Sequence, residues 1–266
     1  VKNLLELAKE CDPDISDFFG VTPLMIAAHK QNYEAVSYLL SISKGSSSLQ
    51  ANFGWTALRC ALQNGDSRIA ELLLEDGSDP DQLFWDGTTP LMLVARNGRC
   101  TLIELLISKG AQIDYRHPEG FSALDSAVFY NQPDSTLTLC KLGACTNAKN
   151  HPERRKSWPL SIAIEKRNRV IVEILLNHGA TIYLQDHPQG ATALHYAAEF
   201  GHLDIVQLLL EKDILFIDTP IAADTNVLLH FAKEKGVENE LTTLLTPKGE
   251  MNLPDKLPGF TPLHLA

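Results

Sequence analysis

Eight leucines at positions 24, 58, 91, 124, 160, 194, 229 and 263 stand in similar local settings, at steps of 34, 33, 33, 36, 34, 35 and 34 residues. The phrase around them reads Thr22-Pro23-Leu24-Met25-Ile26-Ala27-Ala28, then Thr56-Ala57-Leu58, Thr89-Pro90-Leu91 and Ser122-Ala123-Leu124. It continues as Trp158-Pro159-Leu160, Thr192-Ala193-Leu194-His195-Tyr196-Ala197-Ala198, Leu229-His230-Phe231-Ala232 and Thr261-Pro262-Leu263-His264-Leu265-Ala266. A period of this length constrains the fold more than any other property of the chain. Each period is one supersecondary unit too small to bury its own apolar face, so it must bury that face against its neighbours.

Each phrase has a physical reading. Thr or Ser is a good helix N-cap, because its hydroxyl accepts from an orphan N–H of the first turn. Pro directly after it fits the first helical position, where the missing N–H costs nothing. Leu and two small residues then predict a short helix that packs closely. About a dozen residues on come second amphipathic stretches with apolar residues at helical spacing, such as Ile69 to Leu74, Leu102 to Leu106, Ile171 to Leu176 and Ile205 to Leu210. Gly77, Gly110, Gly143 and Gly179 follow four of these helices and predict left-handed stops.

These residues resemble the ankyrin repeat, over essentially the whole chain. Asp17-Phe18-Phe19-Gly20-Val21-Thr22-Pro23-Leu24 is similar to the start of that motif, Gly201-His202-Leu203-Asp204-Ile205-Val206 to its turn and second helix, and Lys109-Gly110-Ala111 and His178-Gly179-Ala180 to its end. The resemblance implies an all-α solenoid of stacked helix-turn-helix units with projecting β-hairpin fingers. It implies a single array over 1–266, with repeats starting near 17, 51, 84, 117, 151, 187, 222 and 256 and a partial repeat over 1–16. Both ends fall inside a repeat, so a fragment of a longer protein is expected.

Departures from the motif are informative. The His of the Leu-His pair, structural in the family, stands at His195, His230 and His264 and is replaced by Met25, Arg59, Met92, Asp125 and Ser161 elsewhere. Trp158 occupies a capping position, Val227-Leu228 replace Thr-Pro, and Asp213 stands where a stop glycine is expected. Lys44-Gly45-Ser46-Ser47-Ser48 reads as a flexible insertion.

Composition narrows the function. With 44% apolar and 21% charged residues the chain is ordinary for a folded protein. Its net charge of −10 is a poor basis for phosphate-backbone binding, so no nucleic-acid partner is expected. No apolar run approaches the ~18 residues of a membrane span. Five scattered cysteines without CxxC spacing read as reduced, intracellular thiols rather than a disulfide framework or zinc site. Phosphate-binding glycine loops, Gly-x-Ser-x-Gly and His-Glu-x-x-His are all lacking. The expectation is no enzyme, no cofactor and no metal.

The candidate site rests on where aromatic residues fall. Phe18, Phe19, Phe53, Trp55, Phe84, Trp85, Tyr115 and Phe121 lie in finger or pre-Thr segments, as do Trp158, Tyr183 and Phe260. In the family these positions face the binding groove, and aromatic anchors dominate interface hot spots. The alternative is that several of them pack against the next finger. Arg154, Arg155 and Lys156 form a basic finger, with Lys166, Arg167 and Arg169 beyond it, suited to an acidic peptide or a phosphate. Acidic residues cluster instead around Glu71, Glu75, Asp76, Asp79, Asp81 and Asp86. His117-Pro118-Glu119-Gly120 and His187-Pro188-Gln189-Gly190 read as finger-tip turns.

The resemblance therefore implies a non-catalytic, cytoplasmic or nuclear scaffold that binds a protein or peptide partner on its concave finger and first-helix face. The alternative is a targeting or substrate-recruiting region of a larger enzyme, ubiquitin-ligase adaptor, channel or bacterial effector, with further domains in the same parent chain.

Overall fold

The structure, a computed structural model, describes residues 12–43, 45–147, 159–182 and 193–213, and within them all side chains but those of Phe53, His195, Leu210 and Asp213. Two compact units divide the chain, Val1–Cys145 and Thr146–Ala266.

In the first unit the helices come in pairs: α1 (Pro23–His29) with α2 (Tyr33–Ile42), α3 (Ala57–Asn64) with α4 (Ser67–Glu75), α5 (Pro90–Arg96) with α6 (Cys100–Ser108), and α7 (Ala123–Phe129) with α8 (Pro133–Lys141). First helices pack on first helices, α1 on α3 on α5 on α7. Second helices form the matching row, α2 on α4 on α6 on α8. Each pair also closes on itself.

The periodic phrase builds this arrangement as the sequence predicts. Thr22, Thr56 and Thr89 accept from the backbone N–H of Met25, Arg59 and Met92 at 3.4, 3.1 and 3.2 Å. Ser122 goes further. Its hydroxyl accepts from the Asp125 N–H while the Asp125 carboxylate accepts from the Ser122 N–H, a reciprocal capping box. Leu24, Leu58, Leu91 and Leu124 are buried two residues after these caps, and Ala28, Ala61, Ala95 and Ala127 are the small residues that let adjacent first helices approach. Ile69 and Leu73, Ile103 and Leu106, and Thr136 and Leu139 fill the second row.

Gly77, Gly110 and Gly143 take φ of 107°, 97° and 91° after α4, α6 and α8, the left-handed stop the sequence predicts. The turn inside each pair also needs positive φ. Gly65 and Gly98 supply it in two pairs, whereas Gln31 and Asn131 adopt φ of 57° and 59° in the others.

Among the described residues the fingers carry no strand ladder. Each is a tight loop in which one residue donates to the carbonyl four ahead and the residue three ahead donates back. The pairs are Asp17 with Val21 and Gly20, Ala51 with Trp55 and Gly54, Phe84 with Thr88 and Gly87, and His117 with Phe121 and Gly120. Successive fingers touch backbone to backbone. The Asn52 N–H donates to the Phe19 carbonyl at 2.9 Å, and a Cβ on Gly54 would stand 3.0 Å from the Trp85 nitrogen.

Side chains lock one repeat to the next at the finger roots. Asp81 accepts from the Gln112 N–H at 2.9 Å and Asp114 from the Cys145 N–H at 2.8 Å, the same bond one repeat on. Gly45 to Ser48, which composition suggests is flexible, forms a 3-10 turn at Ser46–Ser48. There Ser46 and Ser47 are buried, Gly45 N–H donates to Asp76, and Ser78 Oγ donates to the Ser47 carbonyl.

The second unit holds two described pairs, α9 (Pro159–Glu165) with α10 (Arg169–Asn177) and α11 (Ala193–Glu199) with α12 (Leu203–Asp213). Here α9 packs on α11 and α10 on α12. Gly179 takes the left-handed stop at φ 86°, and Arg167 takes the within-pair turn at φ 52°. Asn147 accepts from the Thr181 N–H at 2.9 Å, repeating the finger-root bond.

Candidate partner-binding face

The aromatic residues of the first two fingers fall into distinct environments. Phe18 and Phe19 lie at the tip of the Asp17–Val21 loop, which is held by Asp17 Oδ1 accepting from the Phe19 and Val21 N–H groups at 2.9 and 2.8 Å. Phe18 is 93% exposed and Phe19 59%, and their rings meet edge to face at 5.5 Å. Two phenylalanines held in water by a capped turn are unusual for packing residues.

Behind them lies a groove of about 510 Å³ lined by Phe19, Val21, Met25, Ile26, Trp55 and Cys60, with His29 and Lys30 at the α1 end and Asn52 beside it. Its walls are finger loops and its floor the first helices. Ile26 is 52% exposed there. Sequence reasoning passes over Ile26, Met25 and Lys30. The available signal is Met25, an apolar residue where the motif carries His.

The third finger separates neighbouring residues. Phe84 is only 5% exposed while Trp85 is 67% exposed. Phe84 packs beneath Arg59, whose guanidinium carbon stands 4.4 Å from its ring centre and 5.6 Å from that of half-buried Trp55. Burial lowers the Arg59 pKa, with Arg96 adding to the shift and Asp86 opposing it. Asp86 accepts from the Thr88 N–H at 3.1 Å and its hydroxyl at 2.6 Å. Burial pushes the Asp86 pKa up, but the Thr88 bonds and the Arg59 charge outweigh it and hold the carboxyl below its ordinary value.

Farther along, Tyr115 and Phe121 are half-buried. Phe121 stacks on His117 at 4.2 Å. The His117 ring bridges two fingers, with Nε2 at 2.6 Å from the Asp86 carbonyl and Nδ1 accepting from the Glu119 N–H at 3.0 Å. His117-Pro118-Glu119-Gly120 is accordingly a finger turn. The Phe53 side chain and Arg154, Arg155 and Lys156 lie outside the described residues, as do Trp158, Tyr183 and Phe260. Of the basic residues beyond that finger, Arg167 stands 3.7 Å from Asp204.

Part of the acidic cluster serves as ties within the unit. Glu75 pairs with Lys109 at 3.1 Å, Asp76 holds Gly45 and Asp81 holds Gln112. Among the described residues no group of three or more His, Cys, Asp or Glu could hold a metal ion, and no helix is long and apolar enough to cross a membrane.

Capped helix pairs in two rows, with short fingers tied at their roots, define a repeat protein of stacked helix-turn-helix units. A family model described as ankyrin repeats (3 copies) matches residues 1–84, 78–150 and 145–219, and the chain belongs to the ankyrin-repeat family. Ankyrin repeats are protein–protein interaction modules, and the related repeats are non-catalytic. The chain is 32% identical over 200 residues to the B-cell lymphoma 3 protein homolog of Mus musculus, covering 73% of this chain and 44% of that protein. It is 33% identical over 139 residues to neurogenic locus notch homolog protein 1 of Mus musculus, covering 52% of this chain and 6% of the relative. Among solved structures, the ankyrin repeat domain of Bcl-3, a member of the IkappaB protein family, superposes with a TM-score of 0.71 at 25% identity, over 84% of this chain and 99% of that one. The chain thus spans less than half the length of these two curated relatives.

Proposed function

We propose that this chain is a recognition scaffold that holds a protein partner on the finger and first-helix face of its first unit. The observation that carries this reading is the exposure of Phe18, Phe19 and Trp85 on finger loops held rigid by their own backbone bonds, beside an apolar groove. Rigid, solvated aromatic side chains lose little conformational entropy on binding and bring large contact area. None of the three is buried, so replacing them leaves the stacking of repeats intact.

Proximity labelling in cells, comparing the full chain with a Phe18→Ser, Phe19→Ser, Trp85→Ser variant, tests this. The variant should keep the parent melting temperature and lose a discrete set of labelled proteins. An identical labelled set from a folded variant would place binding elsewhere. The basic finger at Arg154, Arg155 and Lys156 is proposed as a second contact, tested by charge reversal of all three in the same assay.

A second reading is favoured by coverage. The chain matches 44% and 6% of the curated relatives, and we propose as the second reading that it is the recruiting region of a longer protein. Fusing the chain to a biotin ligase in place of any neighbouring domain should then label the same partners as the full-length protein.

A further inference from the structure

The groove between the first two fingers is apolar but its surroundings are not neutral. Among the described residues no carboxylate lines it, whereas His29 and Lys30 bound one end. Arg59 lies over Trp55, which forms a wall, and its Nη1 is buried without a hydrogen-bond partner among the described residues. Of the charges that act on Arg59, Arg96 repels it and Asp86 attracts it, but the Asp86 carboxylate is already engaged by Thr88. Arg59 is thus repelled by a second guanidinium and attracted by a carboxylate that Thr88 already engages, on a chain whose net charge is −10. A partly buried guanidinium short of acceptors gains from an incoming anion, which strengthens its remaining hydrogen bonds as water leaves.

Resting on the docking face argued above, we propose that this groove takes a linear segment of a partner protein in which a large apolar residue lies within one or two positions of an Asp or Glu. The apolar side chain seats against Phe19, Ile26 and Trp55, and the carboxylate pairs with the half-buried Arg59 guanidinium. The spacing follows from scale. An extended chain advances about 3.5 Å per residue, and the Arg59 guanidinium carbon is 5.6 Å from the Trp55 ring centre. A carboxylate fits this site better than a phosphate. Asp86, already engaged by Thr88, also acts on Arg59, so the second negative charge of a dianion would meet its repulsion.

Selection of a random linear peptide library on the full chain provides the probe. Recovered peptides should be enriched in Asp or Glu next to Leu, Phe or Trp. For one synthetic representative, replacing its acid by Gln should weaken binding to the parent chain about tenfold, the scale of one charge-assisted contact. The Arg59→Ala chain should bind the acidic and Gln peptides equally, and Phe19→Ser should weaken both. The acid-to-Gln comparison on the parent chain needs no altered protein, and Arg59→Lys, which keeps the charge, should retain part of the discrimination.

Apolar peptides without acidic enrichment that still depend on Phe19 would overturn the carboxylate assignment while leaving the docking face in place. Peptides indifferent to Phe19, Ile26→Ser and Trp55→Ala would overturn the face itself. Recovery of no peptide above background, or a phosphoserine peptide binding where its Glu counterpart does not, would also overturn the proposal.

Discussion

The guanidinium carbon of Arg59 stands 4.4 Å from the centre of the Phe84 ring, one helix roofing the finger of the next repeat. Arg59 occupies the position that the motif gives to His, directly after Leu58 and six residues before Gly65, which ends the helix. The contact turns Phe84 into a packing residue and leaves Trp85, its neighbour in sequence, outside.

Phe84→Ala and Trp85→Ala should therefore differ sharply. The first empties a buried site and is expected to lower stability by about 3–5 kcal/mol. The second removes an exposed ring and should stay within about 0.5 kcal/mol of the parent. Urea unfolding of the two single variants decides this. Equal losses would mean the third finger packs differently.

Leu124→Ala tests the register of the helix rows. Leu124 is buried two residues after the Ser122 cap. The loss expected for a buried leucine is about 2–5 kcal/mol. An unchanged thermal transition would contradict the placement of α7.

Gln31 holds φ of 57° where other repeats have glycine, and its side chain is exposed. A left-handed conformation costs a non-glycine residue roughly 1 kcal/mol. Gln31→Gly should raise stability by up to about that amount, less the added freedom of glycine in the unfolded chain. Asn131→Gly should gain less, because Asn tolerates this region. A fall in the melting temperature of Gln31→Gly would show that the turn is unstrained.

Asp86 and Asp125 should respond to acid with opposite signs. Asp86 titrates below its ordinary value in the folded chain, so the stability it contributes is present above the unfolded carboxylate pKa of about 3.9 and is lost as pH falls through the folded value. Asp125 is raised by burial despite its bonds from Ser122 and the Arg116 guanidinium at 3.7 Å. Its contribution is present at low pH and is lost as pH rises through the raised value. Urea midpoints from about pH 7 down to pH 3 should fall less steeply for Asp86→Asn than for the parent, and more steeply for Asp125→Asn. Parallel curves for all three proteins would show that neither group is perturbed.

Cys60 and Cys140 are buried, and burial pushes both thiols up to about 11. Neither is a competent nucleophile at neutral pH. An aromatic disulfide reagent at about pH 8 should label them only at the rate of unfolding, and rapid labelling of native protein would show an open groove floor at Cys60.

Much of this fold is legible in the residues, because the features that define it are local. Thr22, Thr56, Thr89 and Ser122 cap helices where their spacing places them, and Gly77, Gly110, Gly143 and Gly179 stop them. The candidate face is less legible. Phe84 and Trp85 are adjacent and equally aromatic, and what separates them is Arg59, a repeat away in sequence. Gly45 to Ser48 looks unstructured by composition, yet Asp76 and Ser78 hold it from the following repeat. Single-chain patterns record caps and periods; they do not record which neighbour covers which ring.

The finger-root bonds carry a consequence for how such chains diversify. Asp81 reaches Gln112 and Asp114 reaches Cys145 across 31 residues, yet Asn147 makes the same bond to Thr181 across 34. Three additional residues enter between the last pair of anchors and the tie re-forms. The number of residues between anchors is therefore a variable that can be retuned for a new target while the root tie is kept.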